Sequence, residues 1–195
     1  TTFPTPKLIP PGFEQEVSGL LKHEDDLHLD LRTLSFRFVF NPPGPPKPAE
    51  ALKVYAANGS GTVQGVPDRE KAIQIEFWER TTREGFTDQA ARASARKFRA
   101  EFDALDQRLV GNPYLLGDAL SVLDIAWFIY ANRLALAGYP IVRLHPRVGA
   151  WLEKLGTRPE FAKEVAAPPE VEERIKTTRR AHAQAGKSLE MVAGF

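Results

Sequence analysis

The stretch Gly117–Ile125, GDALSVLDI, decides how this chain is read. Ser121 is placed to accept from the free amides of a helix that starts at Val122. Asp124, at the third helical position, is placed to reach back to the Ser121 amide. That pairing is a capping box, with Asp instead of the commoner Glu. Leu120 just before the cap and Ile125 at the fourth helical position are spaced as a hydrophobic staple. Behind the cap, Ile125–Ala131 is the longest apolar run in the sequence. A helix that is apolar on all sides belongs in the middle of a bundle. Gly138 and Pro140 end it near Ala137.

Upstream of that helix, Thr87 reads as the N-cap of a long helix over Asp88–Val110. Phe98, Phe102, Leu105 and Leu109 fall on one of its faces. Further upstream, Pro67–Arg83 reads as a helix with Pro67 at the first helical position. Phe13 to about Phe38 reads as one long helix, because Leu20, Leu21, Leu27, Leu31 and Leu34 recur at helical spacing. The prolines from Pro42 to Pro48 stop it. Between these, Ala49–Val66 reads as a loop with glycines at 59, 61 and 65 and room for one short helix at Ala49–Ala57. Downstream, Pro146–Leu155 and Pro159–Val165 are short helices opened by proline, and the charged segment 169–187 suits an exposed helix packed on one side. No internal repeat and no strand pattern emerges. The expected architecture is all-α, a bundle of about seven helices.

Composition narrows the function. A chain of 195 residues, 43% hydrophobic, can bury a sizeable core without covalent staples. With 26 basic and 25 acidic residues there is no electrostatic footprint for nucleic acid or for an anionic membrane surface. No apolar run approaches the roughly 20 residues that span a bilayer. With no cysteine, thiolate nucleophiles and thiolate metal sites are excluded within the chain. The four histidines, at 23, 28, 145 and 182, lack metal-ligand spacing, so no metal is expected, and His145 reads as a capping or surface residue. The loop Asn58–Thr62 lacks the Gly-Lys-Ser/Thr and the preceding strand of a phosphate loop.

Taken in order, LDQRL (Leu105–Leu109), PYLLGD (Pro113–Asp118), LSVLDI (Leu120–Ile125), HPRVGAW (His145–Trp151) and RPEF (Arg158–Phe161) resemble the C-terminal helical domain of the glutathione transferase superfamily. The opening residues 1–10 resemble the linker that precedes that domain. The long first helix, the Pro/Gly-rich insertion and the segment Trp78–Phe86 resemble bacterial members of the β-etherase and tetrachlorohydroquinone dehalogenase kind. The resemblance divides the chain into a linker (1–12), a helical domain (13–167, with an insertion at 41–66) and a charged C-terminal helix and tail (168–195). It implies glutathione as co-substrate, a small hydrophobic electrophile, a homodimer in full-length form and a cytoplasmic location.

The family's thioredoxin-like domain has no counterpart among these residues. The catalytic Ser, Tyr or Cys is therefore expected outside them, and residues 1–195 alone are expected to be inactive. Within the chain, the resemblance points to Asp25 and Asp26 as carboxylates for the glutathione α-amino group. It points to Leu29, Arg32, Thr33, Phe36, Arg37 and Phe40 as the wall of the electrophile pocket. Phe36 and Phe40 share a helix face suited to an aromatic ligand, and Arg32 or Arg37 would anchor an anion. Core packing explains the aromatic spacing equally well, and solvated charge explains the aspartates and arginines. Trp78, Trp127, Phe128, Tyr130 and Trp151 read as core. The competing reading is a non-catalytic interaction domain that reuses this helical fold.

Overall fold

The computed structural model describes residues 7–40, 47–59 and 61–195. They form α1 (Glu16–Asp25), α2 (His28–Ser35), a π-helical turn (Phe36–Phe40), α3 (Ala49–Ala57), a β1–β2 hairpin (Thr62–Val63 and Val66–Pro67) and α4 (Arg69–Glu84). There follow α5 (Asp88–Arg108), α6 (Val122–Ala137), α7 (Ile141–Leu144), α8 (Pro146–Gly156), α9 (Pro159–Val165), α10 (Pro169–Gln184) and α11 (Leu189–Ala193). The structure is mostly helical, as expected, but has more helical segments than the expected seven.

Three local causes account for the differences. The expected long first helix breaks at Asp26–Leu27, where neither proline nor glycine is present. The His28 ring donates from Nδ1 to the Asp25 carbonyl at 2.6 Å, so a side chain occupies an acceptor of the helix ladder. After Ser35 the helix widens into the π-helical turn. Second, Pro67 does not open α4. It pairs with Thr62 in the hairpin, and Asp68 caps the helix by accepting from the Lys71 amide at 3.0 Å. A carboxylate cap beside the proline supplies the stronger start signal. Third, α7 and α11 are short and carry no periodic pattern to read.

The main core joins α1, α2, the π-helical turn, α5, α6, α8, α9, α10 and α11 around Phe98, Phe102, Phe128, Ala131 and Leu134. Fully buried Ala91 and Ala95 let α5 approach its neighbours closely. One broad face of α6 is sealed, with Leu123, Trp127, Phe128, Tyr130, Ala131 and Leu134 buried. Ile125 and Arg133 on the opposite side stay exposed, so the helix is less enclosed than its all-round apolar sequence suggests. Gly138 ends α6 at φ 92°, in the left-handed region that glycine tolerates. A second, smaller cluster consists of Leu52, Phe77 and Trp78, with Leu29, Phe36 and Phe86 packed against it. It ties α3 and α4 to the end of α2.

Candidate functional site

The GDALSVLDI segment builds a polar hub inside the main core. The side chain of Ser121 accepts from the Asp124 amide, and Asp124 accepts from the Ser121 amide at 2.9 Å. Asp124 is completely buried and does more than close this box. Its Oδ1 accepts from the Leu115 amide at 2.9 Å and from the Trp151 indole Nε1 at 2.9 Å. Its Oδ2 also accepts from the Ser121 hydroxyl at 2.6 Å. One carboxylate thus fastens the Tyr114–Gly117 turn, the start of α6 and the middle of α8. Trp151, read from sequence as plain core, supplies one of its four donors. Leu120 is half-buried against the main core, while Ile125 is 37% exposed.

A second carboxylate works similarly. Asp106 on α5 accepts from the Arg147 and Val148 amides at 2.8 and 3.1 Å and pairs with the Arg147 guanidinium. Burial pushes the Asp106 carboxyl up, but those donors outweigh it and hold it below the usual range. Asp106 therefore caps α8 from a neighbouring helix. His145, expected as a capping or surface residue, holds the N-cap position of α8 without a side-chain cap bond and is fully buried. Its Nε2 meets the Tyr139 hydroxyl at 2.9 Å, and its ring stacks on Tyr139. Burial lowers its pKa despite the nearby Asp103 carboxylate. The apolar wall of Phe102 and Tyr139 explains why this His is inside.

The six residues expected to wall a pocket do not share one surface. Arg32 and Phe36 line a groove of about 420 Å³ with Lys47, Tyr55, Gln74 and Trp78. Leu29 packs on the aromatic cluster beneath it. Phe40 lines a different groove, of about 270 Å³, with Ser35, Ile129, Leu136, Val165 and Val171. The Phe36 and Phe40 rings still touch edge to face, at 5.6 Å between centroids. Thr33 is buried, and its hydroxyl donates to the Leu29 carbonyl at 2.8 Å. Arg37 faces neither groove and pairs with Asp88 at 2.6 Å.

Asp25 and Asp26 are both exposed and line neither groove. Asp26 pairs with Lys22 at 2.7 Å. Their neighbour Glu24, which sequence reasoning passed over, is buried. Its pKa is pushed up to about 7 by burial first and by Asp25 second, while a hydrogen bond from Tyr130 pulls it down. Tyr130 is itself shifted upward, mainly by burial. Glu24 carried no signal in sequence, because a charged residue among three consecutive acids reads as solvated.

Arg32 is the most polar feature of the larger groove. Its guanidinium donates to Gln74 Oε1 and lies 5.1 Å from the Trp78 ring and 5.8 Å from the Phe77 ring. Gln74 in turn donates from Nε2 to His28 Nε2, since His28 uses its Nδ1 proton on Asp25. This relay links the helix break to the groove wall. Burial first, and Arg133 second, push the Arg32 pKa down. Phe36 stacks on Phe86 at 5.2 Å and meets Trp78 edge-on at 5.3 Å. Trp78, also read as core, thus forms part of the groove.

The Asp124 hub, α6 and the α5–α8 packing lie in the part of the chain that a family model matches. Residues 88–154 match the family model of the glutathione S-transferase C-terminal domain. That match spans α5, α6, α7 and most of α8, and so contains both buried aspartates. No curated protein and no solved structure gives a significant match. Among the described residues, no group of His, Cys, Asp and Glu is placed to hold a metal ion. Nor is any helix among them long and apolar enough to cross a membrane.

Proposed function

We propose that this chain is the substrate-selecting helical part of a glutathione transferase. In that reaction, a thioredoxin-like domain outside these residues lowers the pKa of the glutathione thiol, and the thiolate attacks an electrophile held partly by this domain. The family match over residues 88–154 carries the reading. Leu29, Arg32, Thr33, Phe36, Arg37 and Phe40 remain the proposed pocket region. Arg32 and Phe36, with Leu29 behind them, are its best-supported members, because they form one aromatic groove. Asp25 and Asp26 are proposed to meet the glutathione ammonium from the exposed C-terminal end of α1 and the break that follows it, across a homodimer interface.

The extended α3–α4 region supports the β-etherase and dehalogenase-like layout, and a cytoplasmic homodimer fits that class. The domain limits proposed are 1–12, 13–167 and 168–195. Retention of the full-length protein on immobilised glutathione, followed by conjugation assays with aromatic electrophiles, tests the reading. Specific elution by free glutathione and saturable conjugation are expected. No retention and no conjugation would leave the docking-module reading in its place. Residues 1–195 alone are expected to conjugate nothing.

A further inference from the structure

Arg32 and Arg37 lie on one continuous stretch of chain, yet their charges are treated differently. Arg37, with a side chain 16% exposed, is matched by the Asp88 carboxylate at 2.6 Å. Arg32 is also partly buried, but among the described residues no carboxylate lies within 4.0 Å of it. Lys47, across the same groove, likewise has no carboxylate partner among them, and its ammonium lies 5.4 Å from the Trp78 ring. Two cations therefore converge on an aromatic surface without a protein anion. Holding an unpaired, partly desolvated guanidinium costs free energy that an incoming anion would offset. The surrounding walls are flat rings: Phe36 and Trp78 on one side, Tyr55 of α3 on another.

We propose that this groove binds an aromatic carboxylate. The carboxylate accepts from Arg32 and Lys47, and the ring packs against Phe36, Tyr55 and Trp78. Arg32 suits the anion because its planar fork presents paired donors while its face rests on Trp78. Gln74 holds the guanidinium toward the groove, and the His28 relay holds Gln74. The groove, at about 420 Å³, has room for a fused two-ring ligand. As an assignment of substrate class, this rests on the transferase reading above. As an assignment of binding, it stands on the groove alone.

The test titrates the 195-residue chain with 2-naphthoate and, separately, with its neutral counterpart 2-naphthamide. The reporter is the indole N–H resonance of Trp78, identified by its loss in Trp78→Phe. Only three tryptophans are present, so the three resonances are separable. The naphthoate is expected to shift the Trp78 signal and to bind roughly tenfold more tightly than the amide. Arg32→Gln should abolish that preference, and the exposed Lys47→Gln should reduce it without disturbing the fold. Equal affinity for the two ligands, an unchanged preference in Arg32→Gln with native spectra, or shifts confined to Trp127 and Trp151 would each overturn the proposal. Glutathione takes no part in this experiment. Its failure would leave the transferase reading intact, and failure of glutathione binding would leave the groove assignment intact.

Discussion

Asp124 and Arg32 are both charged groups that face apolar surroundings, and the protein treats them in opposite ways. Asp124 is sealed among four donors drawn from three segments. Arg32 is held by one amide side chain and two rings and faces an open groove. A buried charge that is fully satisfied fixes a fold, whereas one left without a counter-ion marks a surface with work still to do. The same contrast divides the two hydrophobic clusters. The main core encloses the Asp124 hub, and the smaller one, between α2, α3 and α4, underlies the groove.

The largest expected effect lies at the hub. Asp124→Ala leaves the Leu115 and Ser121 amides and the Trp151 indole as buried donors without acceptors. At roughly 1–3 kcal/mol per stranded group, the loss should be about 3 kcal/mol or more. Urea unfolding should show either a greatly lowered midpoint or no native baseline. If the variant lost under 1 kcal/mol (roughly the worth of a simple cap), the hub would be no more than a cap. Trp78→Ala should behave differently. It removes the centre of the smaller cluster, so local opening of α3 and α4 should become easier by about 3 kcal/mol, while the global midpoint moves much less.

Ser121→Ala comes next, at about 1–2 kcal/mol, since it removes a cap but leaves three of the four donors to Asp124. The remaining effect concerns Glu24 and depends on pH. Its folded pKa of about 7 lies above the ordinary value of 4.5, so the folded state holds a proton that the unfolded state has released between those values. Stability from this group is therefore present at low pH and declines as pH rises from about 4.5 to about 7. Glu24→Gln should match the native protein near pH 4.5 and be the more stable of the two at pH 8. Parallel urea midpoints at both pH values check this, and a constant difference across pH would contradict it.

Sequence made the main core legible because its signals are local. The Ser121 and Asp124 box, the apolar Ile125–Ala131 run and the Thr87 cap each lie within a few residues of the helix they define, and α6 and the start of α5 fall where those signals place them. The groove was legible only in part. Arg32 and Phe36 stand out by type and spacing, but their partners Lys47, Tyr55, Gln74 and Trp78 are up to 46 positions from Arg32 (78 − 32) and meet only through tertiary packing. Phe40 and Arg37 share the spacing yet point elsewhere, because the π-helical turn changes the register of side chains after Ser35. The break at Asp26–Leu27 was hidden for a related reason. A histidine that takes a main-chain carbonyl leaves no pattern that periodicity can detect.

Native-state hydrogen exchange bears most directly on the claim that fold and ligand surface are separate units. Amides of α5 and α6, together with those of Leu115 and Ser121, should exchange only through global unfolding. Amides in the middle of α3 and α4 should exchange through a local opening at least roughly 100-fold more often. Equal protection across both regions would show one cooperative unit and contradict the account.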